Sequence, residues 1–410
     1  MAIRVQKYGG SSVATPERMK AVADRIKALR DQGDQPVVVV SAMGNATDEL
    51  LSLARQITRD PSDRELDSLL STGEQVSVAL LAMALQDLGC EAVSLTGSQV
   101  GIFTDERHRK ARVQSVDAGR VRQELAEGRV VLVAGFQGVN ETGDITTLGR
   151  GGSDTTAVAL AAALGTGSCE IFTDVDGIYT ADPRTVPLAR KLDTVGYEEL
   201  LEMASLGAQV MQLQSVEYAQ RHGVIIHVRS SFHDTPGTII EEGDRVPNPQ
   251  IITGVSYDPK VSLITVAGVP DRPGVAYQIF STLAKNGINV DMITGQMPQA
   301  AITNLSFTVH EDDLDRAVAL AEREAEYLGA GSVSYDREVA KVSIVGSGIA
   351  SHAGVAANMF GALAEAGINI ELITCSEIKL SCLVRQALGV EAARAVHRRF
   401  VASGRATAEV

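Results

Sequence analysis

The segment GVAYQIFSTLAKNGINVDMIT at residues 274–294 returns without gaps, 80 residues later, as GVAANMFGALAEAGINIELIT at 354–374, with 11 of 21 positions identical. Self-similarity at a fixed spacing means one supersecondary unit present twice, so the C-terminal part of the chain must be built from two like modules. Each copy follows an apolar strand (261–267; 341–345) and a short loop, and reads as a helix and then a strand. A second strand (301–309; 380–385) and a further amphipathic helix follow in each copy, an order typical of a βαββαβ unit.

The first 245 residues have a different rhythm. Residues 2–7 alternate and run into Gly9-Gly10-Ser11-Ser12, a strand entering a glycine turn. Over 16–30, Met19, Val22, Ile26 and Leu29 recur at helical spacing. Four consecutive valines at 37–40 predict a strand buried on both faces of a parallel sheet. Further strands are expected at 91–95, 129–134 and 170–173 with helices between them, which defines an open α/β/α sandwich. A polar, proline-containing stretch at 241–249 marks a linker. The expected organisation is therefore an α/β domain over 1–245, then two small ferredoxin-like modules at 262–336 and 340–410.

A net charge of −14 argues against partners such as nucleic acid or an anionic membrane surface, which basic proteins favour. It leaves phosphate binding open, because such sites are made locally from backbone N–H groups and one or two cations. Cys90, Cys169, Cys375 and Cys382 lack metal-ligand spacing, so no protein metal site is expected and they read as free thiols of a reducing cytosol. The opening MAIRVQKYGG has no apolar signal core, and the apolar run at 157–164 is short of a membrane span. The expected location is cytoplasmic.

Three glycine-bearing loops concentrate the chemistry. Lys7-Tyr8-Gly9-Gly10-Ser11-Ser12 sits where a first strand becomes a first helix, where unpaired N–H groups favour phosphate and Lys7 can reach the same anion. Its spacing fits neither a P-loop nor a dinucleotide fingerprint, and a Gly-Gly pair also serves as a plain turn. Thr146-Thr147-Leu148-Gly149-Arg150-Gly151-Gly152-Ser153-Asp154 precedes an Ala-rich helix. A capped helix start would explain Ser153 and Asp154. Arg150, whose planar fork suits a carboxylate, adds a functional reading. The third loop, Thr173-Asp174-Val175-Asp176-Gly177-Ile178-Tyr179-Thr180-Ala181-Asp182-Pro183-Arg184, begins at the C-terminal end of a strand, where open α/β sheets hold ligands.

Together KYGGSS, TTLGRGGSDTTA and TDVDGIYTADPR resemble the amino acid kinase family and, within it, the aspartokinases. Ser41-Ala42-Met43-Gly44 with Thr47-Asp48, and Ser71-Thr72-Gly73-Glu74, match two further stretches. The duplicated module is similar to the ACT domain, which pairs side by side and binds amino acids, although a bare dimerisation scaffold has the same outline. The resemblance implies ATP with Mg²⁺ phosphorylating the side-chain carboxylate of L-aspartate, the first step toward lysine, threonine and methionine. It implies that Lys7, Gly9 and Gly10 cradle phosphates, with Ser41 lining the cleft. Thr47, Glu74, Arg150, Gly151, Gly152, Ser153 and Asp154 would hold aspartate, Glu74 at its ammonium and Arg150 at its α-carboxylate. Thr173, Asp174, Tyr179, Asp182 and Arg184 would bind nucleotide. Gln209 stands where many family members carry Lys.

In the first module the resemblance implies effector contacts at Asp271, Gly274, Ala276, Asn289, Val290 and Asp291, with Asn369 and Glu371 as counterparts in the second. His352-Ala353-Gly354 replaces the acidic loop there. Lysine, threonine or both are the implied inhibitors. The implied assembly is a homodimer, or a heterotetramer with a short regulatory subunit, joined through the ACT modules. A carboxylate is already nucleophilic at neutral pH, so catalysis by positioning and charge neutralisation needs no His or Cys constellation. Kinases of glutamate, acetylglutamate, carbamate or nucleotides, and a sensor on a dead kinase fold, are the competing expectations.

Overall fold

The structure, a computed structural model, describes residues 1–206, 211–246, 250–296 and 302–402; Gln209 and the last three residues of the expected linker, 247–249, lie outside these. Packing divides the chain into two units. The first is Met1–Ile178, Lys191–Ala204 and Gln209–Asn248; the second is Tyr179–Arg190, Ser205–Ala208 and Pro249–Val410. The chain thus leaves the first unit at Ile178 and returns at Lys191, and the intervening segment packs in the second.

The strands of the first unit are β1 (Ile3–Tyr8), β2 (Gln35–Val40), β3 (Ala92–Leu95), β4 (Ile102–Thr104), β5 (Val113–Val116), β6 (Val130–Ala134), β7 (Gln137–Val139), β8 (Ile145–Thr147), β9 (Ser168–Thr173), β10 (Thr194–Gly196), β11 (Ile225–Ser230) and β12 (Thr238–Glu241). Eight form the main sheet in the order β10-β12-β11-β9-β1-β2-β6-β3, and the rest a small sheet, β5-β4-β7-β8. All main-sheet pairings are parallel except β11 with β12. Val37 to Val40 and Val130 to Ala134 are sealed from solvent, as a strand covered on both faces requires. Val38, Val40, Leu132 and Ala134 pack with Met19, Val22 and Ile26 of one helix and Val78, Leu81 and Leu85 of another. The apolar helix Gly152–Leu164 lies against β1, β2 and β9.

Local signals set the boundaries. The helix Pro16–Asp31 starts where Thr15 accepts a hydrogen bond from the Arg18 N–H and proline fixes the first turn. Among the described residues, Asp63–Asp87 is the one helical stretch long and apolar enough to cross a bilayer by length and composition. Half of its most apolar window is buried inside the protein, where Val78, Leu81 and Leu85 join the core.

The second unit carries β13 (Gly254–Pro270), β14 (Ile293–Gln296), β15 (Ile302–His310), β16 (Val333–Val345), β17 (Leu372–Cys375) and β18 (Lys379–Arg385), in the antiparallel order β14-β15-β13-β16-β18-β17. The first strands of the two repeats are much longer than expected. They pair from Gly254 with Val345 to Val266 with Val333, so both modules share one sheet. The repeat helices Val275–Lys285 and Val355–Glu365 begin after Gly274 (φ +95°) and Gly354 (φ +93°). Gly287 and Gly367 then turn the chain with φ of +72° and +70°. Left-handed backbone at both ends of each helix is why these glycines recur. The fold is the expected α/β sandwich followed by two ferredoxin-like modules.

Candidate active site

Four adjacent parallel strands end level with one another. Tyr8 pairs with Val40 on one side and Phe172 on the other, and Ala134 pairs with Val40 beyond it. The loops leaving them are stitched by backbone hydrogen bonds: Gly9 N–H to Phe172 O, Ser41 N–H to Tyr8 O, Gly44 N–H to Gly10 O and Gly135 N–H to Val40 O, each 3.1 Å. Carboxyl ends of parallel strands are where such sheets hold ligands. Side-chain-free positions let these loops close together. A Cβ on Gly10 would lie 2.7 Å from Ala42 O, and one on Gly135 would lie 2.6 Å from Ser153 Oγ.

Lys7, at the end of β1, is buried, and its Nζ lies 2.5 Å from Asp154 Oδ1. That oxygen makes no well-aligned hydrogen bond, so the contact is ionic. Asp154 is on the first turn of the helix Gly152–Leu164, whose unpaired N–H groups add positive potential near the Lys7 ammonium. Gly151, at φ +67°, starts this helix against the Gln212 side chain, which any Cβ there would strike. Ser153 is buried beside Gly135, and Arg150 is exposed, with no ion-pair partner among the described residues.

Glu74 joins the same loops from the first turn of the helix Thr72–Asp87. Its Oε1 accepts the Ala42 N–H at 3.1 Å, whereas its buried Oε2 has no partner. Burial pushes its pKa up to about 7, against the opposing pull of that hydrogen bond. Thr47 is half-buried in the helix that follows the Gly44 turn.

The structure therefore gathers Lys7, Gly9, Gly10, Ser41, Glu74, Ser153 and Asp154 around one set of strand ends. Thr173 ends β9, and its carbonyl accepts from the Ser231 N–H at 2.8 Å; Asp174 is exposed beside it. Tyr179, Asp182 and Arg184 fall in the segment packed in the second unit, where Arg184 and Asp182 are exposed and paired at 2.8 Å. Sequence reasoning passed over the Ala42 N–H, Gly135 and Phe136. Phe136 is one of two non-glycine residues with positive φ (69°) among those described, and its N–H bonds Thr156 Oγ1. The signal was the Gly135-Phe136 pair directly after the buried run 130–134.

In the second unit the repeat places Asp291 and Glu371 equivalently. The Asp291 N–H donates to Thr308 O and the Glu371 N–H to Leu383 O. Their carboxylates are already engaged: Asp291 by Lys341 and, at 3.8 Å, Lys379; Glu371 by Arg385 Nε at 3.1 Å. Asp271, Gly274, Ala276, Asn289 and Asn369 are exposed, and Val290 is half-buried.

Comparison with known proteins identifies the family. The model of the amino acid kinase family matches residues 2–230, and an ACT domain model matches 264–324 and 342–400. The aspartate kinase of Pseudomonas putida is 50% identical over 402 residues, covering 98% of both chains. The aspartokinase of Mycobacterium tuberculosis is 50% identical over 409 residues, covering 98% of this chain and 97% of that one. Among solved structures, E. coli aspartokinase III with aspartate and ADP matches at TM-score 0.78 and 25% identity, covering 97% of this chain and 99% of that one. The same enzyme with lysine and aspartate matches at TM-score 0.76 and 26% identity, covering 98% and 99%. The chain belongs to the amino acid kinase family, and within it to the aspartokinases with C-terminal ACT modules.

Proposed function

We propose that the chain transfers the γ-phosphoryl group of ATP to the side-chain carboxylate of L-aspartate. A β-carboxylate oxygen forms the new bond to the γ-phosphorus as the bond to the β,γ-bridging oxygen breaks, giving 4-phospho-L-aspartate and ADP. No proton need be removed from the nucleophile, so the barrier is the approach of two anions, which a fixed positive field lowers.

The observation that carries this reading is the buried, half-satisfied carboxylate of Glu74. An oxygen sealed from water without a partner calls for a cation, and the α-ammonium of an amino acid supplies one while returning Glu74 to its charged form. Arg150, exposed and unpaired by any described carboxylate, is the partner for the substrate α-carboxylate. Thr47, Gly151, Gly152 and Ser153 complete that pocket. Lys7, Gly9 and Gly10 meet the phosphates, with Ser41 lining the cleft and Asp154 orienting Lys7. Thr173, Asp174, Tyr179, Asp182 and Arg184 take the nucleotide. Mg²⁺ would come with the nucleotide, since it is usually bound through substrate phosphates and water with one or two carboxylates. Bound there, it supplies charge neutralisation between the phosphates.

The ACT modules make the enzyme responsive to end products, lysine, threonine or both, of the pathway that phosphoaspartate opens. Complexes of the E. coli relative with ADP and with lysine support both ligand classes. The outer strands β14 and β17 leave sheet edges with exposed Ile293 and Ile373, which suits pairing with a second copy or a short regulatory chain.

The test is turnover of purified protein with ATP, Mg²⁺ and L-aspartate, trapping the acyl phosphate with hydroxylamine, with and without lysine and threonine. Aspartyl hydroxamate that vanishes with an effector supports the whole reading. Product only with glutamate or acetylglutamate refutes the substrate, and none with any acceptor refutes the kinase. An Asp271→Ala variant should escape inhibition while retaining its uninhibited rate.

A further inference from the structure

The segment Tyr179–Arg190 is gripped at both arms and at its tip by elements of its own unit. At the neck, Thr180 N–H donates to Arg190 O and Arg190 N–H donates to Thr180 Oγ1, both at 2.9 Å. The Thr180 carbonyl accepts from the Val255 N–H of β13 at 2.7 Å. At the tip, the Thr185 carbonyl accepts from Arg394 Nε at 2.8 Å. Between them Ala181 and Val186 sink into the core of the second module beside Ala392, Ala393 and Val396.

At the centre is His397, the last residue of the helix Gly389–His397 and completely buried. Its Nε2 is 2.9 Å from Thr180 Oγ1, and its Nδ1 has no partner. The Thr180 oxygen already accepts from Arg190, so donating its own hydrogen to Nε2 uses both capacities of the hydroxyl. The opposite tautomer would orphan the hydroxyl hydrogen as well as Nδ1. Burial and the Arg190 charge hold this imidazole below its ordinary pKa, so it stays neutral and able to accept.

We propose that His397 and Thr180 are positioning residues for nucleotide binding. In this arrangement the terminal helix of the second ACT module fixes the shape of the segment that presents Tyr179, Asp182 and Arg184. The inference rests on the reading that those three residues contact nucleotide. Releasing the neck frees a loop whose exposed residues gain their geometry from it, so nucleotide affinity falls while the aspartate pocket, built on Glu74 and Arg150, is left as it was.

The experiment measures ATP and aspartate KM, kcat, ADP affinity by calorimetry and melting temperature on the full chain. The variants are His397→Ala, His397→Gln, Thr180→Val, Tyr179→Ala and Arg184→Ala. Loss of one buried hydrogen bond predicts about a tenfold rise in KM for ATP in His397→Ala, with KM for aspartate within about twofold of the parent. The amide of His397→Gln should recover most of the loss. Thr180→Val keeps the volume and folds where a cavity would not, and should match His397→Ala. If Tyr179→Ala and Arg184→Ala weaken ADP binding while His397→Ala and Thr180→Val do not, the positioning role is overturned and the nucleotide segment stands. If none of the four weakens it, the nucleotide reading fails and the inference falls with it. A lower melting temperature with both KM values raised alike would mark a merely structural role and overturn the proposal.

Discussion

The Lys7 ammonium, at the end of the first strand, lies 2.5 Å from the carboxylate of Asp154, on the first turn of a helix that begins 145 residues later. Both groups are nearly buried, so each fixes the other where β1 and the helix Gly152–Leu164 meet. The pair holds a cation over the Gly9 backbone: the Cβ position of Gly9 is 3.6 Å from Lys7 Nζ.

Lys7→Met should therefore lower kcat by about 10²–10³-fold, the scale for removing one preorganised transition-state contact. It should also destabilise the fold, because Asp154 is left as a buried charge without its counter-ion. Adding Asp154→Asn should restore the melting temperature but not the activity. Steady-state kinetics and thermal denaturation of the single and double variants check both.

With Glu74 at the substrate ammonium, as proposed, its titration should set the pH dependence of aspartate binding. Its folded pKa, about 7, is above the ordinary 4.5, so the native protein holds an extra proton between those values. Stability from this group is present at low pH, declines as pH rises from 4.5 to about 7, and then levels off. Aspartate affinity runs the other way and should fall as pH drops below about 7, because a neutral Glu74 cannot pair an ammonium. Glu74→Gln should raise KM for aspartate by about a hundredfold, flatten the stability profile and melt higher at pH 8. Isothermal titration and melting curves at several pH values measure this.

Gly135 is needed for closeness rather than for a left-handed turn. An added methyl would meet Ser153 Oγ at 2.6 Å and Val39 Cγ1 at 2.9 Å. Gly135→Ala should cost about 1–3 kcal/mol, the range for overpacking a filled site. It should raise KM for aspartate through displaced Ser153. Gly143, where a Cβ would meet nothing within 4 Å, has φ +84°, so Gly143→Ala is a backbone-strain control expected to leave KM unchanged.

Asp291 faces two lysines, one of them nearly sealed in the shared sheet: Lys341 is 5% exposed. Asp291→Asn should destabilise the second unit by about 1–3 kcal/mol, since Lys341 keeps only Asp258 at 3.9 Å. It should also blunt lysine or threonine inhibition. Lys341→Met should be tolerated better than Asp291→Asn, because it removes the buried charge instead of stranding it. Chemical denaturation and inhibition curves distinguish the two.

Much was legible in the residues alone. The valine run 37–40 announced a central strand because only a strand covered on both faces needs four branched apolar side chains in succession. The repeat exposed the twin modules because the same backbone turns demand the same glycines, at 274 and 354 and at 287 and 367. The site loops stood out through residues whose chemistry has few bland uses together, such as Lys7 beside paired glycines, and Arg150 with Asp154.

Other relations were invisible because they depend on partners far away in sequence. Nothing around Asp291 names Lys341, and nothing around Thr180 names His397, 217 positions on. The third loop is of this kind: the family resemblance implies one nucleotide segment, yet Thr173 ends a strand of the first unit while Tyr179 to Arg190 pack in the second. The fusion of two modules into one six-stranded sheet was likewise hidden, since strand length beyond the apolar stretch is decided by which edge is available to pair.

What the sequence by itself determined was the set of elements, the duplication and the chemistry each loop can offer, because periodicity, backbone chirality and side-chain type are local properties. Only the tertiary structure decided which charges are buried, which are paired and which, like Glu74 Oε2 and His397 Nδ1, lack a partner. Burial and pairing depend on what the rest of the chain brings within a few ångströms, and at this site that is what turns an ordinary carboxylate into one that needs a cation.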